Sequence, residues 1–412
     1  MYNSLKSHSI STDSFGAWFR AMVLFILALI GTVGMWSVVV FIPDIEKEFN
    51  LDRGTSSLLY AFTMIGFGFG TVVIGKVYDK FGIKKPIFLA SFVLIASYYF
   101  YSVLPFYWQL LVLQLLMGFA ASAFFGPAMA DISNYFNKQR GFALSIVASA
   151  NYVAGATWPL LIGYFLKFID WRTTHFWISI CLLIMLPLVF LLTNAEAKED
   201  KSVNMKQRYK DIKLYLSNNQ IQILLMLAGI CCCVAMAMPQ VHMVALCVDN
   251  GFGLQVGTEI LAVMLYSGML SRVIFGIISD RIGPILTLLL GSFLQMISLT
   301  FFLPFSSEIS LYIVSLMFGL SQGGIVPAYA IIIRKYLPIK EAGLRVGLVI
   351  GATIVGMSLG GWMSGEIFDF ARSYYFAFLN GVIWNIFNLF IVLFVLYKSD
   401  FWHNNKKVVS VG

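Results

Sequence analysis

Long apolar runs separated by short polar segments dominate the pattern along the chain. Each run has about 20 residues, which is enough for one α-helix to cross about 30 Å of hydrocarbon. The pattern predicts twelve membrane-spanning helices, at about residues 17–42, 57–77, 86–104, 107–135, 141–166, 174–193, 221–247, 256–279, 284–305, 309–334, 346–369 and 374–397. The first run is longer than the apolar region of a signal peptide and has no small-residue cleavage site after it, so we interpret it as a retained span.

The composition points the same way. The 412 residues are 59% hydrophobic and 12% charged, and the mean hydropathy is +0.83. Such a chain has too few polar side chains to cover a water-soluble surface. The sequence therefore predicts an all-α integral membrane protein, with the lipid bilayer as its surroundings.

The distribution of Lys and Arg predicts the orientation, because basic loops stay in the cytoplasm. With the N-terminus inside, the inner segments hold 22 of the 28 basic residues and the outer segments hold five. The remaining one, Arg272, lies within a predicted span. Both termini are predicted cytoplasmic, and the net charge of +8 reflects this topology rather than a nucleic-acid surface. Twelve spans without a removed presequence suit a bacterial inner membrane.

A long polar stretch divides the chain after the sixth predicted span. The domains predicted from it are a tail 1–16, a six-helix half 17–193, a linker 194–220, a second six-helix half 221–398 and a tail 399–412. Both tails and the linker are predicted cytoplasmic.

The two halves repeat each other. "GKVYDKFG" at 75–82 recurs as "GIISDRIG" at 276–283, and Pro127 recurs as Pro327 within similar segments. Duplicated six-helix units are typical of secondary transporters. We expect the glycines to allow a tight reversal, the aspartates to cap a facing helix and the cations to hold the turn in the cytoplasm. The alternative is that the charges only mark the inner membrane face. The gating-loop candidates are Gly75, Asp79, Lys80, Gly82, Lys84, Lys85, Gly276, Asp280, Arg281 and Gly283.

The stretch "GKVYDKFGIKK" resembles the loop signature of the major facilitator superfamily, with Lys80 where Arg is commoner. The resemblance extends from about residue 17 to 398 and implies twelve helices in two pseudo-symmetric halves. Within the superfamily the chain is similar to the monocarboxylate and oxalate–formate transporters. That likeness rests on "EFNLDRG" at 48–54, "YFNKQRGFALSIVASANYVAGATWPLL" at 135–161, "DWR" at 170–172 and "SRVIFGIISDRIG" at 271–283.

Arg272 lies eight residues before Asp280, about 12 Å inside the end of the eighth predicted span. A cation at that depth costs a few kcal/mol unless it meets water or an anion. It could extend its head to the membrane surface and leave its stem in lipid. The resemblance instead implies that this arginine lines the cavity and binds the substrate carboxylate, which its planar fork suits.

Two features of the resemblance are missing. Relatives that bind dianions have a lysine in the eleventh span, whereas 346–365 contains none. Proton-coupled relatives have an Asp four residues before the arginine and a Lys in the first span, whereas this chain has Gly268 and an uncharged 21–43. These differences favour a single carboxylate as substrate and leave the coupling ion open.

Several other polar groups fall within predicted spans. Asp131 could carry a proton, but the resemblance implies an inner gate in which it pairs with Lys80. His242 could titrate in a transport role or simply be hydrogen-bonded at a helix end. Besides Arg272, the substrate-binding candidates are Trp36, Asn151, Tyr152, Gln240, His242, Gln322 and Tyr329. Each of these side chains could also be ordinary packing.

The sequence thus predicts a secondary active transporter for a small organic monoanion, by proton symport or anion exchange with alternating access. The alternative within transport is an efflux carrier for drugs or other small molecules. We find no nucleophile–base grouping, phosphate-binding loop or metal cluster, so we expect neither an enzyme nor a cofactor nor a metal. The five cysteines are interpreted as packing residues, and the protein as a monomer.

Overall fold

The computed structural model describes residues 11–192, 212–304, 306–338 and 341–400. Most of the predicted linker 194–220, and parts of both predicted tails, lie outside these residues. Within them, twelve helices are long and apolar enough to cross a membrane, which confirms the predicted number. We number these helices as spans 1 to 12 in chain order.

Eight of the twelve spans are uninterrupted helices. Spans 2, 3, 5, 7, 8, 9, 11 and 12 are Arg53–Phe81, Lys84–Val103, Arg140–Phe165, Asn218–Asp249, Leu254–Ile282, Pro284–Phe301, Ala342–Ala371 and Tyr374–Tyr397. Several run beyond the predicted apolar windows because the helix continues into polar residues. Span 7, for example, extends to Asp249 rather than ending at 247.

The other four spans contain breaks. Span 1 consists of Phe15–Gly31, Val33–Trp36 and Val38–Phe49; span 4 of Tyr107–Ala121, the 3₁₀ turn Ser122–Phe124 and Gly126–Ser133; span 6 of Trp171–Leu182 and Met185–Phe190; and span 10 of Glu308–Gln322 and Ile325–Tyr336. The breaks in spans 4 and 10 occupy matching places in the two halves. In span 4 the helix restarts at Gly126–Pro127, where proline suits a first turn, and span 10 breaks at Gly323–Gly324.

The chain forms two compact units. Among the described residues, the first consists of 11–50 and 62–192, and the second begins with 51–61 and continues from 212 to 400. The start of span 2 therefore packs with the second unit, although the sequence placed all of span 2 in the N-terminal half. We call the side on which span 1 begins the proximal face and the opposite side the distal face.

Each unit contains an equivalent helix contact made by a glycine. A Cβ on Gly118 of span 4 would lie 1.9 Å from the carbonyl oxygen of Thr63 in span 2, and one on Gly319 of span 10 would lie 2.0 Å from that of Met264 in span 8. The two positions of the first contact correspond to those of the second at an offset of 201, with Gly118 repeated as Gly319 and Met264 in place of Thr63. The internal repeat is thus present in the helix packing as well as in the loops.

We expect Gly319→Ala to lower the free energy of unfolding by about 2 kcal/mol, because the added methyl would meet a backbone carbonyl that cannot rotate away. Gly351→Ala in span 11 is the matched control, since a Cβ there would meet no atom within 4 Å. That control should be neutral or stabilising by up to about 1 kcal/mol, because alanine favours helix more than glycine. Thermal unfolding in detergent measures both, and equal melting temperatures would contradict the packing argument.

Candidate functional site

The two repeated loops join span 2 to span 3 and span 8 to span 9. Gly82 has φ of +72° and Gly283 has φ of +88°, in the left-handed region that glycine adopts without steric cost. A Cβ on Gly75 or Gly276 would meet no atom within 4 Å. The left-handed backbone therefore explains glycine at positions 82 and 283. Close packing does not explain glycine at positions 75 and 276.

The aspartates of the loops do not act as caps. Asp79 and Asp280 are exposed, as is Arg281. The helices that begin at Lys84 and Pro284 have no side-chain cap, and neither aspartate has a hydrogen bond within the described residues. The expected capping role is wrong for this conformation, because both residues are exposed and cap neither helix.

The lysines of the first loop lie over aromatic rings. The ammonium groups of Lys80 and Lys85 are 5.2 and 4.8 Å from the ring centre of Phe81, and that of Lys84 is 4.9 Å from the ring centre of Phe190. These are cation–π distances. Exposed Phe81 and Phe190 thus hold the basic residues at the proximal face.

Asp131, near the proximal end of span 4, pairs with Arg20 of span 1. The Nε and Nη2 atoms of Arg20 donate to the two carboxylate oxygens at 2.6 and 2.9 Å. Both residues are 5% exposed, and the guanidinium carbon also lies 4.6 Å from the ring centre of Tyr135. The expected pairing of Asp131 with Lys80 is therefore wrong. A buried carboxylate takes the arginine fork inside the unit, while Lys80 is exposed.

Arg272 lies half-buried in span 8, ten residues before its end and so about 15 Å from it. Its Nε donates to the carbonyl of Gly323 at 3.4 Å, where span 10 is broken. The neighbouring Ser271 hydroxyl donates to the Leu320 carbonyl at 2.6 Å and accepts the Gly323 N–H at 3.2 Å. Span 8 therefore satisfies backbone groups that the break in span 10 releases.

Two more predicted residues meet beside this break. The Nε2 atom of Gln240 in span 7 donates to Oε1 of Gln322 in span 10 at 2.7 Å, and both are almost fully buried. The Nε2 atom of Gln322 has no hydrogen-bond partner among the described residues. Gln322 immediately precedes Gly323, the residue that Arg272 contacts. The second unit thus brings a cation and a buried amide pair to one place in span 10.

Tyr329 belongs to a separate buried network. Its hydroxyl donates to Asn388 at 3.1 Å, Asn388 donates to Asn385 at 3.1 Å, and Asn385 donates to the Ser292 carbonyl at 2.9 Å. These side chains are fully buried. They join spans 9, 10 and 12, so Tyr329 acts as an internal helix contact in this conformation.

The candidates of the first unit also form a pair. The indole Nε1 of Trp36 donates to Asn151 Oδ1 at 2.9 Å, between spans 1 and 5. Tyr152, next to Asn151, is buried with 6% of its surface exposed. Trp36 and Asn151 therefore hold each other in place.

His242 belongs to a cluster at the distal ends of spans 2, 7, 11 and 12 that the sequence did not predict. We call Arg53, His242, Asp249, Asp369 and Tyr374 the distal cluster; all five lie in the second unit. Arg53 donates to both oxygens of Asp249 at 3.0 and 3.3 Å, and to the hydroxyl of Tyr374. His242 contacts the Tyr374 hydroxyl through Nδ1 at 3.4 Å.

The sequence assigned Arg53 to an outer loop, yet only 7% of its surface is exposed. Its guanidinium carbon also lies 4.8 Å from the ring centre of Phe368. A basic residue directly before an apolar run was the available signal, and Arg20 inside the first predicted span was another. Counting basic residues by loop does not distinguish such buried arginines from surface ones.

The motifs "EFNLDRG" and "DWR" also meet at the distal face of the first unit. Trp171 Nε1 donates to Glu48 at 2.7 Å, and Arg172 donates to the same carboxylate at 2.6 and 3.0 Å. Asp170 caps span 6 by accepting the Thr173 N–H at 2.9 Å. These motif residues therefore fasten the end of span 1 to the start of span 6.

At the proximal face, the segment before span 1 is clipped to the loop between spans 4 and 5. The Asp13 carboxylate accepts the backbone N–H groups of Asn137, Lys138 and Gln139 at 3.2, 3.0 and 3.2 Å. Burial alone would raise the pKa of Asp13, but these hydrogen bonds outweigh it and the pKa lies below its usual value. The clip is therefore present at pH values above about 4, where a free aspartate ionises, and is lost as pH falls through the lower pKa of the folded protein.

We expect Asp13→Asn to speed hydrogen exchange of the amides of residues 137–139 about fivefold at neutral pH, a value discounted for partial exposure. Asparagine tolerates the left-handed φ of 55° at this position, so the change removes charge without backbone strain. Ser14→Ala, at the neighbouring cap of span 1, is the control and should leave those amides unchanged. Unchanged exchange in Asp13→Asn would contradict the clip.

Within the described ranges, no three His, Cys, Asp or Glu residues group closely enough to hold a metal ion. Cys231, Cys232, Cys233 and Cys247 are buried free thiols, and Cys181 is exposed. Cys232 contacts Gln295 through its sulfur at 3.5 Å. The cysteines of span 7 thus lie in helix packing.

The fold is similar to that of a bacterial homologue of the human lysosomal transporter Spinster, solved in an inward-facing and unoccupied conformation. The TM-score is 0.66 at 12% identity, over 95% of this chain and 97% of that one. This likeness concerns the fold alone.

Sequence relatives are transport proteins. The chain is 25% identical over 319 residues to the MFS-type transporter pynF of Aspergillus niger, covering 76% of this chain and 71% of that protein. It is 22% identical over 334 residues to the agnestins efflux protein AgnL12 of Paecilomyces divaricatus, with coverages of 80% and 75%. It is 24% identical over 276 residues to rat monocarboxylate transporter 13, with coverages of 65% and 63%.

The family model of the Major Facilitator Superfamily matches residues 24–307 and 252–409, which together include nearly every span. This match agrees with the twelve helices, the repeated loops and the paired glycine contacts. The chain therefore belongs to the Major Facilitator Superfamily.

Proposed function

We propose that this chain is a secondary active transporter that moves a small organic monoanion, in particular a monocarboxylate, by alternating access of its two halves. The observation that carries the proposal is the position of Arg272. A permanent cation lies about 15 Å inside a span, beside a helix break rather than at the membrane surface. A carboxylate is the natural partner for its planar fork.

The surroundings of Arg272 fit a single small anion. Gln240 fixes the carbonyl side of Gln322, and the amide nitrogen of Gln322 then has no partner in the described protein. A buried N–H without an acceptor costs about 1–3 kcal/mol. A carboxylate on Arg272 could supply that acceptor when the site opens. Tyr329 and His242 are secondary candidates, as are Trp36, Asn151 and Tyr152 in the first unit.

The transport cycle would draw on ion gradients. Substrate would enter with a proton or in exchange for another anion, and the loops at 75–85 and 276–283 would regulate access from the proximal face. We infer from the basic-residue distribution that both termini lie in the cytoplasm. The sequence relatives reported above are fungal and mammalian, which gives the expected bacterial inner membrane no support.

A second candidate function is efflux of a larger metabolite or drug. It is favoured by the similarity to a fungal efflux protein, which covers more of this chain than the similarity to the rat protein does. A carrier of lipophilic cations would be expected to place an acid in its binding site. The positive charge of Arg272 in the middle of span 8 argues against cations and leaves an anionic metabolite as the efflux substrate.

The experiment that tests the proposal measures uptake of labelled acetate, lactate and pyruvate into proteoliposomes, with oxalate as a dicarboxylate and a lipophilic cation as comparison. We expect saturable uptake of one monocarboxylate and no uptake of the cation. Stimulation by a proton gradient would indicate symport, and stimulation by internal anion would indicate exchange. Transport of the cation, with no carboxylate carried, would favour the efflux function instead.

A further inference from the structure

The distal cluster fastens the start of span 2 to the rest of the second unit. We propose that this cluster is a pH-sensitive latch, in which the Arg53–Asp249 pair holds the start of span 2 and protonation of His242 releases it. The proposal concerns the conformational cycle and does not depend on which substrate the carrier moves.

The attachment uses both the side chain and the backbone at the start of span 2. Besides the Arg53–Asp249 pair, the Asp369 carboxylate accepts the backbone N–H groups of Arg53 and Gly54 at 3.0 and 2.6 Å. These are donors that a helix start leaves without partners inside the helix. A Cβ on Gly54 would lie 2.4 Å from an oxygen of Glu366, so glycine permits this close approach. The carboxylates of spans 7 and 11 therefore hold the helix start from two sides.

The attachment lies where span 2 passes from the second unit to the first. Span 2 is one continuous helix, Arg53–Phe81, yet residues 51–61 belong to the second unit and the rest to the first. Glu48, a few residues earlier, is fastened within the first unit by Trp171 and Arg172. A rigid helix cannot follow two units that move apart. Separation of the start of span 2 from the second unit thus requires the Arg53 contacts to break.

His242 is connected to Arg53 through Tyr374, and its protonation state follows from its partners. Nε2 lies 2.7 Å from the carbonyl oxygen of Gly361, which can only accept, so Nε2 carries a proton. Nδ1 of the neutral ring can only accept, and it receives the Tyr374 hydroxyl proton. Arg53 donates to the same hydroxyl oxygen. The neutral ring therefore completes a chain of donors and acceptors that includes the Arg53–Asp249 pair.

A second proton on Nδ1 would oppose the latch. The tyrosine hydroxyl would lose its acceptor, and the imidazolium would place a second cation beside Arg53. The charged or titratable groups of the surrounding elements include Arg53 from span 2 and Tyr374 from span 12, Tyr60 of span 2 beside Gly361, Glu366 beside Gly54, Asp369 from span 11, and Asp249 from the span of His242 itself. Asp249 and Asp369 already accept hydrogen bonds from the start of span 2. A protonated His242 would therefore compete with Arg53 for these carboxylates. Acidification of the distal side is thus expected to favour release.

Ser57 provides a direct reporter of release. It lies one helical turn after Arg53, its hydroxyl donates to the Arg53 carbonyl at 2.6 Å, and it is fully buried against Gly365. A cysteine at this position should react with a membrane-impermeant thiol reagent added at the distal face only when the start of span 2 has left the second unit. The protein with Ser57 intact measures the background of the five native cysteines.

We expect Arg53→Gln or Asp249→Asn to increase the labelling rate of Ser57→Cys at least about tenfold, the effect of losing about 1.4 kcal/mol of latch stability. The charge-swapped pair Arg53→Asp with Asp249→Arg should restore slow labelling, which a merely misfolded variant would not do. Unchanged labelling in both single variants would overturn the latch.

Lowering the distal pH from about 7.5 to about 4 should speed the labelling of Ser57→Cys relative to an exposed Ser306→Cys. The range extends below the ordinary histidine range because His242 is fully buried. The reactivity of a thiol decreases as the pH is lowered, because the thiolate is the reactive form. A faster labelling rate at low pH therefore cannot come from the cysteine itself. His242→Gln and Tyr374→Phe should abolish the pH effect while Arg53–Asp249 keeps labelling slow. A pH effect that survives in His242→Gln would overturn the role of histidine. Because labelling needs no substrate, this outcome is independent of the uptake experiment.

Discussion

Arg272→Gln is expected to reduce the initial rate of carboxylate uptake at least about 100-fold. A charge-assisted hydrogen bond contributes about 1.5–3 kcal/mol, and about 2.7 kcal/mol corresponds to a factor of 100. Arg272→Lys keeps the charge but loses the fork, so it should retain a measurable fraction of the rate. The measurement is saturable uptake of the best monocarboxylate by proteoliposomes that contain equal amounts of folded protein.

Two controls separate binding from structure in that experiment. Ser271→Ala removes the side-chain hydrogen bonds to Leu320 and Gly323 at the break in span 10 but leaves the cation. It should change the substrate affinity much less than Arg272→Gln does. Arg334→Gln removes an exposed cation near the proximal end of span 10 and should have no effect. Normal uptake by Arg272→Gln, or equal losses in Ser271→Ala, would remove Arg272 from substrate binding.

The sequence predicted the twelve spans and the internal repeat because both depend on local pattern. The length of an apolar run identifies a span without any knowledge of which way its side chains point. The paired loops likewise identify the repeat without any knowledge of packing. The glycine contacts at Gly118 and Gly319 follow the same repeat, although only the structure shows their partners. Helix breaks were harder to predict, because the interruption at Gly323–Gly324 depends on side-chain hydrogen bonds from Ser271 and Arg272 of another span.

Partners of buried charges could not be predicted in the same way. Asp131 is separated from Arg20 by 111 positions and Arg53 from Asp249 by 196, and nothing local distinguishes these partners from others. The resemblance to the superfamily suggested Lys80 for Asp131, but a lysine at a loop stays hydrated at little cost. An arginine buried inside a span destabilises the protein unless an acidic side chain pairs with it. Searching each apolar run for single arginines and aspartates, rather than counting loop charges, would have found Arg20.

The Arg20–Asp131 pair leads to the last prediction. Asp131→Asn leaves a buried guanidinium without its anion, and removing one partner of a buried pair costs about 3–5 kcal/mol of folding stability. Arg20→Gln should cost a similar amount of folding stability, because it leaves the buried Asp131 carboxylate without its cation. The double variant should be more stable than the sum of the two losses implies, because it buries no isolated charge. Unfolding of each variant in detergent, followed by temperature or denaturant, gives the coupling energy.

Lys80 is the control for the same cycle. If Asp131 serves the loop at 75–85, as the superfamily resemblance implied, Lys80→Gln should couple to Asp131→Asn in stability, and Arg20→Gln should not. The structure predicts the reverse, since Lys80 is exposed beside Phe81 whereas Arg20 grips both oxygens of Asp131. Coupling to both cations, with uptake lost in Lys80→Gln, would mean that Asp131 exchanges partners during transport. In that case the pair with Arg20 would be one conformational state of a gate, and the stability loss in Asp131→Asn would be smaller than the fixed pair predicts.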